Sequence, residues 1–303
     1  MRLHLSARIV IGLLLALWAQ PAQAAGLREV IGALETPFKA STPAEQQIRD
    51  YTAEFFQESR IASLDRLQRA RGQVSVRFDY RRNRPDQVPM VMFHWEYQEP
   101  TTQELISDGK TLWVYLPENN QVIQSDIEMV SKARENDPMT FLTGLGNLSR
   151  DFLISWAEPN RDADGNYVLD LKPRRTTALL NRMVIVVDRA AVGISTEEAA
   201  SPNPMPSMEP PVRPSRRSDP RSPEPGQPAK RPSPFDASFQ ERGQYGGLIF
   251  PILSTTVYDP NGNSTTIEFS DLRVNLGLSA GEFNFIRPPG VEVVRPTGKE
   301  MGF

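Results

Sequence analysis

His94 is the first residue to test for chemistry, because histidine readily serves as a general base, as the partner of a nucleophile or as a metal ligand. The other histidine, His4, lies in the opening apolar stretch, and the chain has no cysteine. One histidine and no thiol can build neither a Cys–His pair nor a histidine- or thiolate-based metal site. A Ser-His-Asp triad would have to use His94, and no Gly-x-Ser-x-Gly elbow accompanies it. By strand alternation His94 faces away from Phe93, Trp95 and Tyr97, on the polar side. Gly144-Leu145-Gly146-Asn147-Leu148 lacks the third glycine of a phosphate loop and follows a helix pattern rather than a strand. Asp162 and Asp164 complete no calcium loop and read as a turn. Two distant carboxylates could still converge for glycoside hydrolysis, but nothing selects a pair. The expectation is a protein that is not an enzyme and uses no metal or cofactor.

Apolar surface is what the chain offers instead. Phe93, Trp95 and Tyr97 share one face of a run, and Trp113 and Tyr115 share a face of a neighbouring run. Leu112 and Val114 point to the side opposite Trp113. Either Phe93, Trp95 and Tyr97 or Trp113 and Tyr115 could line an apolar cavity. Short β-branched and aromatic runs at 72–80, 88–97, 104–107 and 111–116 are separated by Pro, Gly, Asn and Asp, as antiparallel strands are. Asp108-Gly109 marks a hairpin, because its turn needs a positive φ. Asp259-Pro260-Asn261-Gly262 and Asp162-Ala163-Asp164-Gly165 mark two more. Leu27, Val30, Ile31, Leu34 and Phe38 follow helical spacing. Asp137-Pro138 looks like an N-cap and first helical residue, with Met139, Phe141, Leu142 and Leu145 on the apolar side and Gly144 and Gly146 at the stop. A further short helix is expected near 148–152. The fold class expected is mainly β with short α-helices.

Arg2, Arg8, the apolar run 9–18 and Ala22-Gln23-Ala24 form an export signal, so residues 1–24 are expected to be removed. The run is too short to span a bilayer, which takes roughly 20 apolar residues. Without cysteine the exported chain should carry neither a disulfide nor a lipid anchor of its own. Net charge is −3, and −5 once Arg2 and Arg8 leave. That balance argues against nucleic acid as a partner, since phosphate contacts demand clustered Lys and Arg. Twelve prolines fall between Ser201 and Pro234. We read 195–242 as a proline-rich, disordered loop, because its composition cannot offset the entropy of ordering. A sheet tolerates such an insertion, since loop-closure entropy grows slowly with length. The expectation is one domain, 25–303, interrupted once.

Phe93-His94-Trp95-Glu96-Tyr97-Gln98-Glu99-Pro100 followed by Leu105-Ile106-Ser107-Asp108-Gly109-Lys110-Thr111-Leu112-Trp113-Val114-Tyr115 resembles the central motif of the LolA family of lipoprotein carriers. Ala53-Glu54-Phe55-Phe56-Gln57 is similar to the family's first strand, Pro138-Met139-Thr140-Phe141-Leu142 to its lid helix, and 283–294 to its closing strand. The resemblance implies an incomplete, strongly curved antiparallel β-barrel with a helical lid over an apolar cavity. It implies a periplasmic chaperone that binds acylated lipoproteins, taking them from an inner-membrane lipoprotein-releasing ABC transporter to an outer-membrane lipoprotein acceptor. A monomer is the expected state. Phe93, Trp95, Tyr97, Leu112, Trp113, Val114 and Tyr115 are then the candidates for acyl-chain binding, and Met139, Phe141 and Leu142 for the lid. Family carriers place an Arg-Pro pair before the Trp-Glu-Tyr strand to latch the lid. Arg84-Pro85 fits that pair, although the connection here is longer than the family's. A lipid or lipoprotein sensor, or a general lipid-transfer protein, of the same fold is the alternative.

Overall fold

The structure, a computed structural model, describes residues 25–80, 90–126, 145–175, 180–200 and 247–296. Helix α1, Leu27–Glu35, opens the described chain, and Glu29 accepts the Gly26 N–H through Oε2 at 2.7 Å. Its Val30, Ala33 and Leu34 are buried, and a single 3-10 turn, Thr36–Phe38, then buries Phe38. The strands are β1 (Asp50–Ile61), β2 (Arg66–Asp79), β3 (Met90–Glu99), β4 (Gln103–Ser107), β5 (Thr111–Leu116) and β6 (Gln121–Asp126). A four-residue helix, α2 (Leu148–Asp151), precedes β7 (Phe152–Arg161), β8 (Tyr167–Pro173) and β9 (Arg182–Val187). Helix α3 (Arg189–Ala200) and then β10 (Ile252–Tyr258), β11 (Ser264–Val274) and β12 (Glu292–Val294) complete the order.

The twelve strands among the described residues form one sheet, in the order β12-β6-β5-β4-β3-β2-β1-β11-β10-β9-β8-β7. Neighbours are antiparallel except β12, which runs parallel to β6. The two halves of the chain join at β1 and β11, where Phe55 faces Phe269 and Tyr51 faces Val274. Among the described residues β7 and β12 lie at opposite edges and do not pair, so the barrel they form is open. One face of the sheet, from β5 round to β7, packs into a single cluster with α1 and Phe38. A sheet that wide meets one core only by curling around it.

The turns follow their residue chemistry. Gly109 has φ +87°, and the Asp108 carboxylate accepts the Lys110 and Thr111 N–H groups at 2.8 and 2.7 Å. Gly165 and Gly262 have φ near +83°, at +82° and +84°. Asp162 is not free to serve an ion: its Oδ1 accepts the Asp164 and Asn166 N–H groups and its Oδ2 the Asn166 side chain. Small burial raises its pKa, but these bonds outweigh it and hold the group below the usual aspartate value. Helix α3 runs through 195–200, which the sequence reading had placed in the proline-rich loop. Ala191, Ser195 and Thr196 explain the difference: helix-compatible residues continue to Ala200, with Ser195 and Thr196 hydroxyls bonded to the Ala191 and Val192 carbonyls, and the first proline comes only at Pro202. The rest of that loop, 201–242, lies outside the described residues.

Candidate apolar cavity

Register decides which side chains share the concave face. Val74 faces Trp95, Trp95 faces Leu105, Leu105 faces Val114 and Val114 faces Ile123. One residue pair along, Val76 faces Phe93, Phe93 faces Ser107 and Ser107 faces Leu112. Phe93, Trp95, Tyr97, Leu112 and Val114 are thus brought together on the inner face. Phe93, Trp95 and Leu112 are buried, while Tyr97 and Val114 are half-buried. Trp113 and Tyr115 point the other way. Trp113 stacks on Phe285 at 6.2 Å and Tyr115 meets the same ring at a tilt at 5.6 Å, over a separate convex patch that includes Ile106, Val122 and Phe283. Alternation separates Trp113 and Tyr115 from Leu112 and Val114 in the sequence. What the sequence does not reveal is that the segment after β11 covers the outer face.

An aromatic core lies inside the curve. Trp95 meets Phe55 at 4.6 Å and Phe269 at 6.3 Å; Phe269 meets Phe250 at 6.4 Å, and Phe250 meets Tyr51 at 4.3 Å. Phe38 reaches Phe250 at 5.8 Å and Phe78 at 5.3 Å. Tyr51 and Phe55 follow the i, i+2 alternation of an inner face, so their places were available from sequence. Phe250 has no such signal: it precedes Pro251 in a non-strand stretch and plugs the interior from a loop. The Tyr51 hydroxyl and the Trp95 indole Nε1 are buried with no hydrogen-bond partner among the described residues. Burial drives the Tyr51 pKa far above the ordinary phenol value.

Among the described residues the interior is filled at one end and less covered at the other. Near Asp50, α1, Phe38 and Phe250 close it. Gly146 there brings the chain so close that a Cβ would stand 2.7 Å from the Phe38 carbonyl oxygen. The glycines that superficially suggest a phosphate loop thus include one required by packing. Toward the β1–β2 turn the inner-face residues lose cover: Tyr97, Val114, Leu116, Ile123, Phe152 and Ile154 are only half-buried. Among the described residues this apolar rim is the less covered end of the concavity. A second opening, a cavity of about 420 Å³, lies between α1 and α3 over Leu248 and Ile249. Its volume falls in the range of small-ligand sites, about 300–1,000 Å³. Ala33, Pro37, Ala191 and Ile194 give it an apolar lining.

Met139, Phe141, Leu142 and Arg84 lie outside the described residues. His94 is on the convex side, with Nε2 3.1 Å from Glu104 Oε2. Among the described residues, no group of three or more His, Cys, Asp or Glu stands where it could hold a metal ion.

With this geometry in place, residues 46–197 match the sequence profile of the outer membrane lipoprotein carrier protein LolA family. The chain belongs to the LolA family. An outer-membrane lipoprotein carrier protein of Pseudomonas aeruginosa is 25% identical over 247 residues, 80% of each chain. One from Alkalilimnicola ehrlichii is 37% identical over 95 residues, 31% of this chain and 37% of that one. One from Bordetella avium is 24% identical over 203 residues, 67% of this chain and 66% of its own. The chain thus spans between about a third and two thirds of the length of these last two relatives. A LolA superfamily protein from Nitrosomonas europaea aligns over 86% of this chain and 96% of its own, with a TM-score of 0.35 and 12% identity. A conserved protein from Thermus thermophilus aligns over 89% and 98%, with a TM-score of 0.40 and 13% identity. No helix among the described residues is long and apolar enough to cross a membrane.

Proposed function

We propose that the protein is a periplasmic, non-enzymatic carrier that shelters the acyl chains of lipoproteins on its concave face and moves them between membranes. The observation that carries this reading is the inner face itself: apolar and aromatic across the sheet, roofed by helices, and half-exposed along one rim. Family membership and the carrier names of the relatives support it. The physical need is large. Each buried CH₂ is worth about 0.8 kcal/mol, so a single long acyl chain left in water costs roughly ten kcal/mol or more.

In this reading an acyl chain enters past Tyr97, Val114 and Leu116 and lies against Trp95, Leu105 and Phe55. The helices part from the sheet to make room. Met139, Phe141 and Leu142 belong to the covering lid, and Arg84 latches it. The donor is an inner-membrane lipoprotein-releasing ABC transporter and the recipient an outer-membrane lipoprotein acceptor; the carrier works as a monomer. Expression in a periplasm followed by native mass spectrometry tests the reading. Acylated lipoproteins bound one-to-one are expected, and Phe141→Asp should abolish them. An empty protein that also takes no acyl cargo from inner-membrane vesicles would overturn it.

A further inference from the structure

The longest hairpin of the sheet outreaches its neighbour on one side, while on the other β11 pairs with β1 as far as Arg60 and Asn263 accepts the Ala62 N–H at 2.9 Å. Strand β2 pairs with β3 only from Arg71 onward, so Arg66–Ala70 pair with β1 alone. At about 3.4 Å per residue that leaves an arm rising roughly 17 Å past the last pair with β3, Arg71 opposite Glu99. It stands beside the half-buried rim formed by Tyr97 and Leu116, because the β1–β2 turn lies at the same end of the sheet as Glu99 and Gln121.

The arm's surface is unlike the rest of the molecule. Of six large hydrophobic side chains that are exposed among the described residues, three are here: Phe56 at 41%, Leu64 at 67% and Leu67 at 53%. Asp65 takes a left-handed φ of +44° after the 3-10 turn Ala62–Leu64, and Leu64 stands exposed at the apex. Around these side chains stand Arg60, Arg66, Arg69 and Arg71. Against Glu58 and Asp65 they leave residues 56–71 at +2, on a chain whose net charge is −3. Arg60 reaches Asp65 at 3.4 Å, Arg69 reaches Glu58 at 2.9 Å, and Arg71 pairs with Glu99. Exposed pairs of this kind are weak, so the guanidinium groups can exchange them for stronger anions. Arg66 has no ion pair among the described residues.

Leucines at an apex ringed by arginines match one kind of surface: a bilayer that is apolar below and carries phosphate anions above. Guanidinium forks bind phosphate in pairs of hydrogen bonds, and leucine partitions into the acyl boundary. We propose that the β1–β2 arm docks this protein on an anionic phospholipid surface, with Leu64 and Leu67 in the interface and Arg60, Arg66 and Arg69 on headgroup phosphates. The docking stands apart from the carrier reading. Its consequence rests on that reading: the docked arm turns the open rim of the cavity toward the membrane, where acyl cargo arrives or leaves.

The experiment is co-sedimentation of the mature chain with phosphatidylethanolamine–phosphatidylglycerol vesicles and with phosphatidylcholine vesicles. Binding is expected on the anionic vesicles and should fall with salt. L64D/L67D and R66E/R69E should each weaken it at least about tenfold. The milder L64S/L67S should do the same in direction. These positions are exposed, so thermal melting should stay within a few degrees of wild type and acyl uptake from detergent should be unchanged. Leu153→Asp, an exposed leucine on β7, serves as the control and should bind as wild type. The proposal is overturned if wild type binds neither vesicle, if it binds both equally, or if the folded arm variants bind as well as wild type. Arm-dependent attachment to native membranes that protease treatment abolishes would also overturn it, in favour of a protein receptor. Loss of acyl uptake by wild type would sink the carrier reading and leave the docking result standing.

Discussion

Trp113 and Val114 are adjacent in sequence, yet the structure assigns them to opposite faces, so exchanging each should produce opposite phenotypes. Val114 sits half-buried on the inner face between Leu105 and Ile123. Val114→Asp places a carboxylate where an acyl chain would lie. An unpaired polar group in an apolar contact costs about 1–3 kcal/mol, and each 1.4 kcal/mol is tenfold in affinity. Acyl binding should therefore drop by about ten- to a hundred-fold, with only modest loss of stability because the site is partly open. Trp113→Ala removes an indole that stacks on Phe285 with its ring centroid 6.2 Å away. A fully buried aromatic truncation costs about 3–5 kcal/mol, and this half-exposed one should cost about 2 kcal/mol. For a domain of this size that lowers Tm by about 4–8 °C. Acyl affinity should be unaltered. Titration of a fluorescent fatty-acyl probe beside thermal melting measures both quantities on the same samples. A folded Trp113→Ala protein that loses the probe, or a Val114→Asp protein that keeps it, would refute the assignment of faces.

Three further outcomes follow from buried contacts. Tyr51→Phe should raise the urea midpoint by about 1 kcal/mol equivalent at unchanged m-value, because it removes a buried hydroxyl that has no partner; destabilisation instead would reveal a hydrogen bond in solution. Gly146→Ala should cost about 1–3 kcal/mol in the same assay, since its Cβ would press on the Phe38 carbonyl. The buried Asp50 carboxylate accepts the Leu276 and Gly277 N–H groups at 2.6 and 3.1 Å. Asp50→Ala should therefore raise hydrogen exchange at those two amides and leave the β3–β4 amides protected; equal exchange throughout would count against this tether.

Much of the site was legible because its signals are local. Asp108-Gly109 set its hairpin through a positive φ, and alternation put Phe93, Trp95 and Tyr97 on one face whatever the fold around them. Which of the two faces turns inward is different. It depends on where the 280–291 segment goes, and Phe283 and Phe285 carry no local signal that they will cover Trp113 and Tyr115. Phe250 escaped for the same reason: it acts from a loop, in contact with residues some two hundred positions earlier. Helix α3 had no reading as a helix anywhere along 189–200, and the prolines that follow weighted 195–200 toward loop. The β1–β2 arm has no reading of its own in the sequence: strand signals stop at 57 and resume at 72, and the charged stretch between them hides that both strands continue through it.

The same geometry bears on how a carrier can release what it holds. Were the concavity empty and rigid, an acyl chain of sixteen carbons would gain about 12 kcal/mol on entering, at about 0.8 kcal/mol per methylene, and would leave too slowly to be handed on. Here the Asp50 end of the interior is already occupied by Phe38, Phe250 and the buried side of α1. On the proposed carrier function, an acyl chain that reached this end would have to displace those contacts, and its apparent affinity would fall by the cost of populating the opened state. The half-buried rim residues, Tyr97, Val114 and Leu116 among them, can be covered without that cost. Shortening the displaced side chain should therefore tighten binding: Phe250→Ala is expected to lower protein stability and, in the folded fraction, to raise acyl affinity and slow dissociation. Stopped-flow transfer of a fluorescent acyl probe to acceptor vesicles reads the dissociation rate directly. Faster release from Phe250→Ala would mean that Phe250 holds the cargo rather than competes with it.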